Sequence, residues 1–407
     1  MSSDHPLAGR DILCFSYADW FSSWSTPQQI MSRLAPQSRV LYVDQPRSFL
    51  YGLRQPHAKG EGVWEGDAVR EVADNLFVYH LPHVFLPVGR IPLPLAKAAL
   101  TLNGRVIARL VKAQAKRLGF RDPVLWNFSI LHGCAADFLS TALKVYDIAD
   151  VWEKYIDNEP GRRVTRWIDA RMTERADLVF PSTNAIEASH AALNPHHLLV
   201  PHGADFAHFS RGAAADTPEP NDLAEVPRPR IGSIGVMDPA RFDDALIIEL
   251  ATAHSEWSFV LIGPILAGVD KARLEKLPNV YLTGNKAIAE LPNYLKALDV
   301  ALIPYKVTDL TRSIFPLKLM EYLSAGKPVV SSAMDSVMEF SELVHIARDS
   351  KDFDTRIAQA LTETDAAEVA ARQTLAKRFS WDEVVRRKGE AIAARLRDEP
   401  GSAGVIS

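Results

Sequence analysis

The chain has 407 residues, 47% of them apolar and 24% charged, with a formal net charge of −4. This composition excludes a disordered or fibrous chain, the length calls for two large domains or three small ones, and so small a net charge supplies no global attraction to nucleic acid. Cys14 and Cys134 sit in apolar stretches without metal-ligand spacing and read as buried thiols of a reducing compartment, while no 18-residue uncharged apolar run suggests a membrane span.

The start, Met1 to Arg10, is polar and lacks the apolar core of a signal peptide, so the cytoplasm is the expected address. Short apolar runs at 11–16, 39–43, 76–80, 123–127, 143–147, 178–181 and 198–201 then read as strands. Most do not alternate with polar residues, as expected for strands covered on both faces. Helical patterns at 28–34, 131–143 and 162–176 fall between them. Strand, crossover helix and strand repeated in this way predict a parallel, doubly wound sheet. From 210 to 230 the chain is rich in Ala, Pro, Asp and Glu, with Pro218, Pro220, Pro227 and Pro229, and reads as a linker. The pattern then restarts, with strands at 230–236, 257–262, 280–283, 300–303, 328–331 and 344–347 and helices at 241–254, 289–298 and 316–325. A last helix is expected over 382–397. The expected organisation is an N-terminal domain over 1–209, a linker over 210–229 and a C-terminal domain over 230–380. Residues 381–407 would be a helix packing back toward the first domain, then a tail. Two α/β domains in succession would leave a cleft at the carboxyl ends of their strands.

The stretch IPYKVTDLTRSIFPLKLMEYLSAGKPVVS, from Ile303 to Ser331, carries the most chemical information. Pro316 suits the first turn of a helix, where its missing N–H costs nothing. Lys318 then lies at the positive end of the helix dipole, unfavourable by ~0.3–1 kcal/mol unless an anion is bound there. Glu321 is one turn on, on the same face, where a carboxylate can accept from a ribose diol. Spacing alone fits a surface Lys–Glu pair equally well. In the first half, Asp147 and Asp150 stand at the end of a strand, where a carboxylate can take a hydroxyl proton or simply cap a helix; Glu153 is a further possibility for the base. The loop SYADWFSSWSTPQQ, with Ser16, Trp20 and Trp24, can hold an acceptor through aromatic faces, or place its tryptophans in the core.

Pro316, Lys318, Glu321, Tyr322, Leu323, Gly326, Lys327, Pro328 and Val329 resemble the PxKxxEYLxxGKPVV donor segment of GT-B glycosyltransferases, the broad group that includes families 1 and 4. IGSIGV at Ile231 to Val236, IGP at Ile262 to Pro264, NVYLTG at Asn279 to Gly284 and LDVALIPY at Leu298 to Tyr305 follow in that group's order. So do VYDIADVW, ERADLVFPST and VPHGADFAHF in the first half. The resemblance implies an α/β chain of GT-B fold, two Rossmann-like doubly wound domains facing across a cleft. It implies a metal-independent, hexosyltransferase-like enzyme that moves a sugar from a nucleotide diphosphate donor, UDP ahead of GDP, to a hydroxyl of a glycan or lipid-linked acceptor in polysaccharide or glycoconjugate synthesis. Donor contacts are then expected from Gly235, Arg241, Gly263, Tyr305, Lys318 and Glu321, with leaving-diphosphate charge stabilised by Lys318 and by backbone N–H groups near Gly235. Asp150 is the better match for the base, Asp147 for orienting the loop. No cofactor beyond the donor is implied. One departure stands out: many retaining members carry a second glutamate where this chain has Ser313, which leaves the anomeric outcome open and keeps a non-catalytic sugar- or nucleotide-binding protein as the alternative. His202 and Gly203 are expected to be structural, and a role for His132 has little support.

No acidic residue lies between Asp74 and Asp122, while Arg90, Lys97, Arg105, Arg109, Lys112, Lys116, Arg117 and Arg121 are all basic. With the apolar residues of HVFLPVGRIPLPLAKAALTL, residues 83–121 can lie on the anionic inner face of the cytoplasmic membrane, or form an ordinary solvated helix face.

Overall fold

A computed structural model describes residues 5–22, 24–50, 69–312, 314–363 and 365–398. The chain divides into two compact units, one made of Met1–Pro201 with Val384–Ser407, the other of His202–Glu383.

In the first unit, strands β1 (Asp11–Phe15), β2 (Arg39–Val43), β3 (Val69–Ala73), β4 (Leu76–Tyr79), β5 (Val124–Asn127), β6 (Leu143–Ile148) and β7 (Leu178–Pro181) form one sheet in the order β3-β4-β2-β1-β5-β6-β7. All neighbours are parallel except β3, which runs antiparallel to β4 at the edge. The inner strands are buried along their length, which is why they read as continuous apolar runs. Leu13, Phe15, Leu41 and Val43 pack into one core, and Tyr146, Ile148 and Val179 into another. Helices α1 (Thr26–Leu34), α2 (Leu93–Arg117), α3 (Glu159–Arg175) and α4 (Asn184–His190) complete the layers. In α2, Ala96, Leu100, Asn103, Ile107, Val111 and Gln114 repeat at three- and four-residue spacing and form its buried stripe.

Two expectations need correction here. The helix expected over 131–143 is a tight 3-10 segment, Ile130–Phe138, because Leu139 turns extended. The run at 198–201 forms no strand; only Val179 and His197 bridge there, with Leu198 and Val200 donating to the β7 carbonyls of Val179 and Pro181 at 3.0 Å each.

The second unit is a wholly parallel six-stranded sheet, β8 (Arg230–Ile234), β9 (Ser258–Ile262), β10 (Val280–Gly284), β11 (Val300–Ile303), β12 (Val329–Ser332) and β13 (His345–Ala347), in the order β10-β9-β8-β11-β12-β13. Helices α5 (Asp244–Ala253), α6 (Leu291–Ala297), α7 (Leu317–Ser324), α8 (Ser350–Ala360) and α9 (Ala366–Arg378) surround it. Chain order reverses between β8 and β11, the place in an open α/β sheet where ligands bind beyond the strand ends. The Pro-rich stretch expected to link the domains belongs to this unit: Leu223 and Val226 are buried in its core, and Arg230 is buried with its guanidinium on Glu219 at 2.7 Å. Helix α10 (Trp381–Asp398) begins in the second unit and continues, from Val384, in the first.

Candidate active site

In the second unit, β8 and β9 end in glycine turns that touch. Gly235 has φ +119° and Gly263 φ +136°, values that side-chain-bearing residues rarely adopt. A Cβ on Gly263 would stand 2.2 Å from the Gly235 carbonyl oxygen, so glycine at 263 lets the two turns meet. A Cβ on Gly235 would stand 3.4 Å from Lys318 Nζ, so Gly235 lets the ammonium lie against bare backbone. The N–H of Gly235 donates to Ile262 O at 2.8 Å and that of Gly263 to Gly284 O at 2.9 Å. Neither of these two N–H groups is therefore spare for an anion, and what Gly235 itself offers is close approach.

Lys318 comes from the first turn of α7, whose N-cap is Pro316, one position earlier than its sequence suggested. That turn contains no acidic residue and no side chain caps it, so the positive end of the dipole and the ammonium add without a protein anion in the turn. The Lys318 ammonium lies 5.1 Å from the centre of the Tyr305 ring, within cation–π range. Tyr305 follows β11, and its N–H donates to Ser332 Oγ at 3.0 Å. Tyr322, one residue beyond Glu321, accepts at its hydroxyl from Ile234 N at 2.7 Å. That bond ties α7 to the end of β8 and so fixes Lys318 over Gly235. In the sequence Tyr322 shows only as part of the donor-segment motif, because its partner Ile234 lies 88 residues away.

Glu321 is half-buried, and burial pushes its carboxyl up to about 7, against the pull of the Lys318 ammonium. Burial also disfavours the Lys318 ammonium, but Tyr305, Tyr322 and Glu321 outweigh it and hold its pKa above the ordinary lysine value. Arg241 is carried to the same rim by the bridge between Phe242 and Tyr305, and its backbone carbonyl accepts from Lys306 N at 2.7 Å. Its guanidinium is held by Asp238 at 3.0 Å. The structure thus brings Gly235, Gly263, Arg241, Tyr305, Lys318 and Glu321 to one end of one sheet. Ser313 lies outside the described residues.

The acceptor-side residues are spread over the first unit. Asp147 is fully buried; its Oδ2 accepts from Lys388 Nζ at 2.6 Å and from Trp126 Nε1 at 3.0 Å. It is a structural anion under α10 and not a base open to a substrate, which corrects its assignment as catalytic. Burial lowers the pKa of Lys388, with Asp147 opposing. Asp150 lies in the loop after β6, half-buried, with its carboxylate accepting from Val151 N at 2.8 Å and from the Tyr155 hydroxyl. Ser16 is buried and exchanges hydrogen bonds with Ala18 and with the Tyr42 hydroxyl at 2.6 Å, so its acceptor role gives way to closing a turn. Trp20 packs edge-on to Tyr42 as part of the core, while Trp24 is 47% exposed. His132 is buried against Phe15, and burial takes its pKa down to about 3, in keeping with a structural role.

A family model described as glycosyl transferases group 1 matches residues 228–363. Those residues are a group 1 glycosyltransferase domain. This group 1 domain contains both glycine turns and all of α7, so the gathered residues fall inside it. A putative teichuronic acid biosynthesis glycosyltransferase, TuaH of Bacillus subtilis, is 30% identical over 210 residues, which are 49% of this chain. The match spans about half of that relative, 52% of its length. Among solved structures, sucrose-phosphate synthase from Thermosynechococcus elongatus superposes with a TM-score of 0.66 at 16% identity, covering 95% of this chain and 99% of the other. Anabaena Alr3699/HepE in complex with UDP gives 0.64 at 14% identity, covering 95% and 100%. The fold around the group 1 domain is GT-B, with two Rossmann-like units.

Proposed function

We propose that this chain transfers a hexosyl group from a nucleotide diphosphate sugar to a hydroxyl of a glycan or lipid-linked acceptor. The observation that carries the reading is Lys318, set at an acid-free helix start against the bare backbone of Gly235, with Glu321 one turn away. The ammonium and helix dipole suit a diphosphate, and the Glu321 carboxylate suits the ribose diol. In the transfer, the acceptor oxygen bonds to the anomeric carbon as the bond from that carbon to the diphosphate oxygen breaks. Negative charge then grows on the diphosphate, where Lys318 stabilises it. Asp150, half-buried in the loop after β6, takes the hydroxyl proton. UDP is favoured over GDP because the fold-mate HepE is solved with UDP, and a polysaccharide product is favoured by the teichuronic acid biosynthesis named for the relative.

A thermal-shift panel of UDP, GDP, ADP and TDP tests the donor. A ligand at 100 times its dissociation constant stabilises by about 2.7 kcal/mol. UDP is expected to raise Tm, and Lys318→Ala to cut the stabilisation to about half or less. No shift with any of the four nucleotides would refute the reading.

The lipid-linked form of the acceptor draws support from α2. Its exposed side is apolar in the first half, with Leu95 61% and Leu102 50% exposed, and basic in the second, with Arg105, Arg109, Lys112, Lys116 and Arg117 exposed. Val84, 56% exposed, precedes it. Such a strip suits an anionic bilayer, each basic side chain adding about 1 kcal/mol near the surface. Among the described residues no helix is long and apolar enough to cross a membrane. Sedimentation with phosphatidylglycerol vesicles at low salt, lost at high salt, is the expected result; no sedimentation at low salt would refute it.

A further inference from the structure

At the β4 side of the first sheet, a second group of side chains takes no part in the chemistry above. Asp44 follows β2; its Oδ1 accepts from Trp20 N at 2.9 Å, and its Oδ2 lies 3.2 Å from His80 Nδ1. His80 follows β4 and is 7% exposed. The other ring nitrogen of His80, Nε2, is buried and meets no protein partner among the described residues. Asp19, in the loop after β1, pairs through Oδ2 with Arg47, while its buried Oδ1 also meets no partner among the described residues. A buried polar atom left in this way is destabilising until a partner satisfies it. Beside them Trp24 is 47% exposed and packs at 5.5 Å on Trp20, and Phe21, 46% exposed, carries the Arg70 guanidinium 5.8 Å over its ring. Apolar ring faces beside fixed hydrogen-bonding atoms suit a sugar, whose CH face is apolar and whose hydroxyls both donate and accept.

The position of this group makes it informative. In the strand order β4-β2-β1-β5-β6, His80 and Asp150 are four strands apart. At about 4.8 Å per strand, that separation is about 19 Å. A single sugar cannot span it, whereas several linked sugars can. Between the two ends Tyr17, after β1, packs on Trp152, after β6, at 4.9 Å, so aromatic surface continues along the row.

We propose that the first unit binds an oligosaccharide acceptor, whose reacting sugar lies at Asp150 and whose distal sugar docks on Phe21, Trp24, Asp19 and His80. This rests on the glycosyl-transfer reading, and the acceptor is then a growing chain and not a monosaccharide.

The test uses the full chain, fluorescently labelled, on an array of linear bacterial surface glycans of one to six sugars with UDP present. Retention is expected to rise with length to at least three sugars, and Trp24→Ala and Asp19→Asn are each expected to lower retention on the longer glycans at least fivefold. The thermal shift with UDP should be the same in both variants as in the parent. Equal retention of monosaccharides and oligosaccharides, retention unchanged in both variants, or no retention on any glycan would overturn the proposal. Failure of the donor reading shows separately, as absence of the UDP shift in the parent protein.

Discussion

On the proposed donor role of Glu321, its carboxyl, with a pKa of about 7, should make donor binding depend on pH within the physiological range. If the ionised form is what accepts from the ribose diol, affinity scales with the ionised fraction. With a pKa of about 7 that fraction is about 0.9 at pH 8 and about 0.1 at pH 6. Donor affinity should therefore fall about tenfold between those values, equivalent to ~1.4 kcal/mol. UDP-glucose is the suitable probe for calorimetry, because its diphosphate is esterified at both ends and stays ionised throughout this range. In Glu321→Gln, binding should be weaker at pH 8 and nearly flat with pH. The unliganded protein should respond in the opposite direction: a folded pKa above the ordinary glutamate value of 4.5 means that the native state holds the extra proton. The resulting stability is fully present below about pH 4.5, is lost progressively as pH rises through about 7, and should be missing from the glutamine variant. A slope of the same size in Glu321→Gln and in the parent would refute the assignment of the titration to this residue.

Lys318→Met should weaken UDP binding by about 10- to 150-fold, the 1.5–3 kcal/mol of a charge-assisted bond, without lowering Tm in the absence of nucleotide. Gly263→Ala should lower stability by at least ~1–3 kcal/mol in urea denaturation, from its positive φ and the contact with Gly235 O. Lys388→Met should cost about 3–5 kcal/mol by leaving Asp147 buried and unpaired, whereas the double variant Asp147→Leu/Lys388→Met should recover most of that loss; equal stability of the single and double variants would refute the pairing.

Much of the second unit could be read directly from its residues. Its inner strands β8, β9, β11 and β12 are buried along their length and read as mainly apolar runs, and their expected limits fall within two residues of the observed ones. The edge strand β3 escaped because VREVA is mostly exposed and pairs on one side only. The Pro-rich stretch at 210–229 looked like a linker because its order comes from tertiary contacts, Leu223 and Val226 in the core and Glu219 on Arg230, which no local pattern encodes. The donor-side residues were legible because they share one contiguous segment and two glycine turns. Asp147 was misread because Lys388, its partner, is 241 residues away in sequence. A strand-end carboxylate open to a cleft and one neutralised from a distant helix look the same in a sequence.

That contrast also explains the uneven distribution of the two sites. Donor recognition needs a cation, a carboxylate and bare backbone within a few ångströms, which one helix and the turns at the reversal between β8 and β11 can supply. Acceptor recognition, if the acceptor is a chain of sugars, needs weak contacts spread along a row of strand ends. Those contacts come from single residues after β1, β2, β4 and β6, separated by tens of positions in sequence. No short motif can record such a surface, and only the strand order places Asp150 and His80 at its opposite ends.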